Sequence, residues 1–256
     1  MSKLETYSYS KVKSFYNCPY GFYKHYYEKE RTNFNHGTSE FGTFCHLILE
    51  KYAKGELGEW ELLDYYSDHY DENVVDSMVL HISDDFSKDF SEMYFSKGYD
   101  YFQNFEGFQD LEVLEAEYDF NENVEDRFIL TGKVDLICQD KNGDIVVIDH
   151  KSKGRFKNKA EQHEYARQLY LYAYAVFKKY GKFPRTLVFN MFRVPDWVVI
   201  PFNKDDYIEA MEWLKDSVAE IESCIDFYPI TDTFFEKNFC EYYATGLCDK
   251  CFALAE

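Results

Sequence analysis

Long apolar runs and positive charge are both scarce in this chain of 256 residues. No apolar stretch approaches the roughly 20 residues that cross a bilayer, and the N-terminal segment lacks the uninterrupted apolar core of a signal peptide. These absences predict a cytoplasmic protein that does not contact membranes. Lys and Arg number 28 against 47 Asp and Glu, a formal net charge of −19. That charge argues against broad adhesion to a polyanion, so any nucleic-acid contact must depend on locally concentrated cations.

Repeats, low-complexity tracts and Pro- or Gly-rich linkers are absent as well. We therefore expect one domain over residues 1–256, with no clean internal boundary. Apolar residues make up 46% of the chain and aromatic residues 20%, which is enough for a full hydrophobic core.

Hydrophobic periodicity predicts helices around a run of strands. Helices are expected at 8–29 (two short ones divided at Pro19), 39–54, 160–180 and 204–224, with an acidic helical insertion at about 56–105. Strands are expected at 111–120, 127–138, 144–150, 185–193 and 197–201. This order predicts an α/β fold in which helices flank a mixed central sheet.

Two of these strands, joined by a hairpin turn at Asn142-Gly143, carry acids and a lysine. Asp135 lies on the first strand and Asp149 on the second, and Lys151 follows two positions later. Residues i and i+2 of a strand project to the same side, so Asp149 and Lys151 should share one space. Two carboxylates can hold a hard divalent cation, and the ammonium can orient an attacking water. The pattern indicates metal-dependent phosphodiester hydrolysis; the alternative is two surface aspartates around a turn.

Three other features accompany this pair of acids. His46 lies on the helix predicted at 39–54, and its imidazole suits Mn²⁺ better than Mg²⁺; the alternative is a structural histidine. Gln168 and Tyr172 are four residues apart on a later helix, so they can reach a common phosphate or the lysine. The basic loop, residues 151–159, adds the cations Lys153, Arg155, Lys157 and Lys159 without an acid. These cations are candidates for DNA-backbone contacts or simply a solvated loop.

In this order the motifs resemble the RecB-like branch of the PD-(D/E)XK nuclease superfamily. The matching segments, within about 40–175, are Gly42-Thr-Phe-Cys-His46, Gly132-Lys-Val-Asp135, Ile148-Asp-His-Lys151 and Gln168-Leu-Tyr-Leu-Tyr172. The resemblance implies a restriction-endonuclease-like core. It also implies that His46, Asp135 and Asp149 bind Mg²⁺ or Mn²⁺, that Lys151 is catalytic, and that Gln168 and Tyr172 support the site and DNA.

The same resemblance implies action on DNA ends or single-stranded DNA as an exonuclease, with an endonuclease as the alternative. It further suggests protein partners in recombination, repair or CRISPR-type systems, and a phage or DNA-repair setting. The alternative is a non-catalytic DNA- or protein-binding subunit that retains the nuclease fold.

Seven cysteines in a cytoplasmic protein do not suggest a disulfide framework. One branch of these nucleases holds a [4Fe–4S] cluster with one cysteine before the nuclease motifs and three after them. Cys18, Cys240, Cys248 and Cys251 resemble that layout, although C-x7-C here precedes C-x2-C. Four thiolates suit the cluster, which would fasten the C-terminal segment 236–256. A structural Zn²⁺ site would use the same residues, and unliganded thiols are the remaining alternative.

Overall fold

The computed structural model describes residues 4–83, 85–108, 110–230 and 232–250. Its helices are α1 Tyr9–Asn17, α2 Pro19–Tyr26, α3 Gly37–Ala53, α4 Leu62–Asn73, α5 Ser91–Gln103, α6 Lys159–Tyr180, α7 Lys204–Ser223, α8 Thr233–Phe239 and α9 Glu241–Ala244. Its strands are β1 Thr6–Tyr7, β2 Val79–Ser83, β3 Phe86–Asp89, β4 Leu111–Val124, β5 Phe128–Asp140, β6 Ile145–Lys151, β7 Thr186–Met191 and β8 Asp196–Pro201. No helix within these described parts has the length and apolar character to cross a membrane.

A six-stranded mixed sheet forms the centre, in the order β1-β5-β6-β7-β8 with β4 also paired to β5. Strands β4, β5 and β6 run antiparallel to their neighbours in this series, whereas β6 and β7 are parallel. Helix α6 connects β6 to β7, because two parallel strands need a long connection between them. The predicted α/β fold with a central mixed sheet flanked by helices is confirmed.

Each face of this sheet is covered by its own hydrophobic core. The first core joins the sheet to α1, α2, α6 and α7, through side chains such as Phe128, Leu169 and Val218. The second core joins the opposite face to α3, α4 and α5, through side chains such as Phe41 and Tyr66. The sheet is therefore buried on both sides, which explains why β6 begins with four consecutive apolar residues, Ile145 to Ile148.

Local signals in the sequence account for most element boundaries. Pro19 occupies the first turn of α2, and Cys18 separates it from α1, so the predicted break between two short helices is present. Gly143 has a φ of +81°, as the turn between β5 and β6 requires.

The region 56–105 is not wholly helical, because a two-stranded hairpin, β2–β3, lies between α4 and α5. Strand β3 is exposed at every position, so it lacks the alternation of apolar and polar residues that would have revealed it. The two-residue strand β1 was also not predicted; it is too short to produce a periodic pattern.

Candidate active site

The β4–β5 ribbon changes sides at the level of Glu117 and Asp135. On the side nearer the β4–β5 turn, Phe120 and Val134 pack in the first core. On the other side of this level, Ala116 and Leu136 pack in the second. Glu117 has a φ of +54°, a left-handed conformation that is rare inside a strand. Alternate residues of the two strands therefore switch from one core to the other here, and we call this level the crossover.

Three carboxylates lie in one row across β4, β5 and β6 at the crossover. The pairs Ala116↔Leu136 and Tyr118↔Val134 bracket Glu117, which places it opposite Asp135. Strands β5 and β6 pair as far as Leu136↔Ile148, so Asp135 and Asp149 are the next positions on each strand.

The Asp135 side chain forms a hydrogen bond to β6 just beyond the last backbone pair of β5 and β6. Its Oδ2 atom accepts a hydrogen bond of 2.7 Å from the backbone N–H of His150. Burial raises the pKa of the Asp135 carboxyl to about 6, against the lowering effects of Lys151 and of that hydrogen bond. A carboxylate this poorly solvated is stabilised by any cation that can approach it.

Asp149 and Lys151 form an ion pair on the α6 side of β6. The distance from Lys151 Nζ to Asp149 Oδ2 is 2.7 Å, and Asp149 is only 1% exposed. This Oδ2 atom has no hydrogen bond of good geometry within the described residues, despite the nearby ammonium. Burial raises the pKa of Asp149 to about 6, more than Lys151 lowers it. We refer to Asp135, Asp149 and Lys151 as the acid–lysine site.

Helix α6 supports Lys151 from one side. Lys151 Nζ donates a 2.8 Å hydrogen bond to Gln168 Oε1, and Gln168 Nε2 donates one of 2.6 Å to the Tyr172 hydroxyl. Burial raises the pKa of Tyr172, so its hydroxyl stays protonated. Because Gln168 and Tyr172 are four residues apart on one helix face, they form a series of hydrogen bonds that orients the lysine.

Helix α3 brings His46 to Asp135 from the other face of the sheet. The distance from His46 Nδ1 to Asp135 Oδ2 is 3.6 Å. Burial lowers the pKa of His46, which favours the neutral imidazole that can bind a metal.

Glu117, which sequence reasoning missed, completes a set of possible metal donors. One donor atom from each of His46, Glu117 and Asp135 lies within 4.8 Å of the other two. Asp149 lies beside this set rather than within it. The signal was available in the sequence: had the chain between β4 and β5 been interpreted as a hairpin, its register would have put Glu117 opposite Asp135.

The basic loop separates into an inward part and an exposed part. Lys153 Nζ lies 3.0 Å from Glu161 Oε1, so its charge is paired within the protein. The side chains of Arg155, Lys157 and Lys159 are exposed. Gly154 packs closely against Arg193; an added Cβ would lie 2.8 Å from the Arg193 Nη2 atom.

Three of the four cysteines that suggested a metal cluster pack together. Cys18, Cys240 and Cys248 share a small buried core with Tyr20 and Tyr242, which we call the cysteine cluster. Cys251 lies outside the described residues.

The cysteine cluster joins chain segments that are far apart in sequence. Cys18 Sγ accepts a 3.3 Å hydrogen bond from the Gly21 N–H at the start of α2, and Cys240 lies between α8 and α9. Burial raises the pKa of the Cys240 thiol, and the nearby Cys18 adds to this effect. A thiolate there would need a positively charged partner.

An α/β sheet with carboxylates and a lysine gathered on adjacent strands is suited to metal-assisted hydrolysis of phosphate esters. The family profile of the PD-(D/E)XK nuclease superfamily matches residues 6–243. The chain therefore belongs to the PD-(D/E)XK nuclease superfamily, and its fold is the restriction-endonuclease-like fold of that superfamily.

One solved structure shows the same fold at low sequence identity, and a second one aligns less well. The crystal structure of a protein from Eubacterium rectale, assigned provisionally as an exonuclease, aligns with a TM-score of 0.51 and 11% identity. The alignment covers 98% of this chain and 87% of that one. The structure of SSO0001 aligns with a TM-score of 0.38 and 15% identity over 97% of this chain and 88% of that one. No curated protein matches the sequence.

Proposed function

We propose that this protein is a metal-dependent deoxyribonuclease that trims DNA ends or single-stranded DNA, as an exonuclease of the RecB-like branch. The observation that carries the proposal is the convergence of Asp135, Asp149 and Lys151 on two central strands of the sheet, with His46 approaching from α3. The exonuclease assignment of the Eubacterium rectale protein agrees with it.

The side chains at the crossover fit a divalent ion. His46 and Asp135 provide a neutral imidazole and a carboxylate, the donor types that Mn²⁺ and Mg²⁺ accept in proteins. Asp149 adds a second carboxylate, which is buried on the adjacent strand and also pairs with Lys151. We therefore assign His46, Asp135 and Asp149 to the metal. A bound ion would lower the pKa of a water molecule and stabilise charge on the phosphate.

The protein's own contribution is to hold Lys151 in place. Asp149 and Gln168 fix its ammonium from two directions, so little reorganisation is needed when negative charge develops on the phosphate. Lys151 would orient the attacking water and stabilise that charge. Tyr172 keeps Gln168 in the orientation that accepts from the lysine.

The DNA backbone would follow the basic loop. Arg155, Lys157 and Lys159 are exposed next to the acid–lysine site and can contact successive phosphates. Lys153 is assigned a lesser role, because Glu161 already neutralises it. Concentrating the cations in this way would let a protein with a net charge of −19 bind DNA at one place only.

The cysteine cluster would hold a [4Fe–4S] centre, with Cys251 as the fourth ligand. Three buried thiols from opposite ends of the chain are the observation that supports this assignment. Anaerobic purification, a visible absorption spectrum and an iron assay test it. Broad visible absorption and roughly four irons per chain are the expected results. Stoichiometric zinc without iron would point to a structural Zn²⁺ site instead.

Cleavage of a labelled single-stranded oligonucleotide in Mn²⁺ tests the proposed activity. Asp149→Asn and Lys151→Ala should each lower the rate by roughly 100- to 1000-fold. The first removes a proposed metal ligand, and the second removes the positive charge that stabilises the reacting phosphate. Lys141→Ala, an exposed lysine in the turn between β5 and β6, is the matched control and should leave the rate unchanged. Full activity in both site variants, or none in the wild-type protein, would overturn the proposal; the latter would favour a non-catalytic binding subunit.

A further inference from the structure

Glu117 is held in an arrangement that costs free energy in two ways. Its left-handed backbone, with a φ of +54° inside β4, is unfavourable for a residue with a Cβ atom. Its carboxylate also lies directly across the ladder from that of Asp135, and like charges in that relation repel. Such an arrangement is stabilised when a cation lies close to both carboxylates.

One cation near Glu117 is supplied by the protein itself. Lys133 lies two residues before Asp135 on β5, and its Nζ atom is 3.1 Å from Glu117 Oε2. Half of the Lys133 side chain is exposed (49%), whereas that of Glu117 is mostly buried (17%). The ammonium therefore approaches Glu117 from the solvent side, and the ion pair is held only weakly.

Glu117 also belongs to a set of donors that could share a divalent ion. Donor atoms of His46, Glu117 and Asp135 lie within 4.8 Å of one another, so small side-chain adjustments would bring all three to one ion. The three residues come from α3, β4 and β5, so they surround the position rather than line one side of it.

We propose that Glu117 is a further ligand of the divalent ion, and that Lys133 is its counter-ion when no metal is bound. Binding of the ion transfers the Glu117 carboxylate from Lys133 to the metal. The released ammonium then faces solvent at the site and can contact a DNA phosphate, so metal loading prepares the protein for its substrate. This inference rests on the proposed nuclease function, because the ion is the one used in that reaction.

The Mn²⁺ affinity without DNA, measured by isothermal titration calorimetry, tests the two roles, because removing each residue should change this affinity in the opposite direction. Glu117→Gln should weaken binding about 10-fold or more, the scale seen when a metal site is deprived of a supporting group. Lys133→Met should tighten binding several-fold, because it removes a positive charge that competes for Glu117. Glu112→Gln, an exposed carboxylate on the same strand, should leave the affinity unchanged.

Thermal unfolding without metal separates ligation from a structural role. Glu117→Gln should be at least as stable as the wild-type protein, since the substitution removes the repulsion from Asp135 and disrupts only a partly exposed ion pair. A lower unfolding temperature with an unchanged Mn²⁺ affinity would overturn the ligand role. Weaker Mn²⁺ binding by Lys133→Met would overturn the counter-ion role.

Asp135→Asn distinguishes failure of this inference from failure of the proposed function. If Asp135→Asn abolishes Mn²⁺ binding while Glu117→Gln does not alter it, Glu117 is not a ligand and the nuclease proposal stands. If the wild-type protein itself binds no Mn²⁺, both proposals fall.

Discussion

The acid–lysine site and the cysteine cluster are held by very different kinds of structure. Asp135 and Asp149 lie on adjacent strands at the centre of a sheet that is buried on both faces, and Gln168 fixes Lys151 from a helix of 22 residues. The strands that carry the site are hydrogen-bonded to their neighbours in the sheet, so the site does not depend on a ligand to stay in place.

The cysteine cluster, in contrast, is built on short elements at the two ends of the chain. Helices α8 and α9 have seven and four residues, well below the length of about 12 residues at which an isolated helix becomes marginally stable. The comparison indicates that the fold alone forms the acid–lysine site, whereas a bound metal centre would contribute directly to the stability of the C-terminal segment.

Cys240→Ser should have the largest effect, and this effect should be confined to the cysteine cluster. Removal of one ligand of the proposed [4Fe–4S] centre should reduce the iron content to near zero. It should also make residues 232–250 the first site of limited proteolysis, because that centre would no longer fasten them. Cleavage by the protein that remains folded should persist at low temperature, since Asp149 and Lys151 are unaffected. Iron analysis, mass spectrometry of the fragments and the oligonucleotide assay measure these outcomes.

Cys224→Ser, a half-buried cysteine outside the cluster, provides the control and should keep the wild-type iron content. An unchanged iron content in Cys240→Ser would show that Cys240 is not a ligand. An equal decrease in cleavage and in iron would show that the two regions are not independent.

Gln168→Ala should have an intermediate effect, confined to the acid–lysine site. Removing a hydrogen bond to a charged group costs about 1.5–3 kcal/mol, so kcat/KM should fall roughly 10- to 100-fold without a change in unfolding temperature. Arg167→Ala, on the same helix but paired with Glu209, is the matched control. An equal decrease in both variants would mean that α6 is merely perturbed.

Arg155→Ala should have the smallest effect, a weakening of DNA affinity by a few-fold. Removing one phosphate-binding cation should reduce the slope of log K against log salt by about 0.7 for single-stranded DNA. Lys153→Ala should change the slope less, because Glu161 already pairs with that charge. Fluorescence anisotropy at several salt concentrations measures this slope. A larger effect of Lys153→Ala than of Arg155→Ala would contradict the assignment of DNA contacts to the exposed part of the basic loop.

Strong local signals made most of the sheet and half of the site predictable. The Asn142-Gly143 turn set the register of β5 and β6, and the i, i+2 rule placed Asp149 beside Lys151. Helix α6 was recognisable from its length and from Gly181, which ends it with a φ of +71°.

What could not be predicted depends on contacts between distant segments. The register of β4 against β5 could have placed Glu117 opposite Asp135, but no sequence pattern required its left-handed backbone, which brings its carboxylate near His46 and Asp135. The pairing of Lys153 with Glu161 depends on the path of a loop that has no periodicity. The hairpin β2–β3 is solvent-exposed, so no buried face selected apolar residues along it.

The crossover at Glu117 and Asp135 links activity to complete folding. His46 reaches the site from the layer of α3, whereas Gln168 and Lys151 belong to the layer of α6. A chain that has assembled only one of these layers would lack part of the proposed site. If the site is a nuclease centre, activity should therefore appear only after both layers have packed on the sheet.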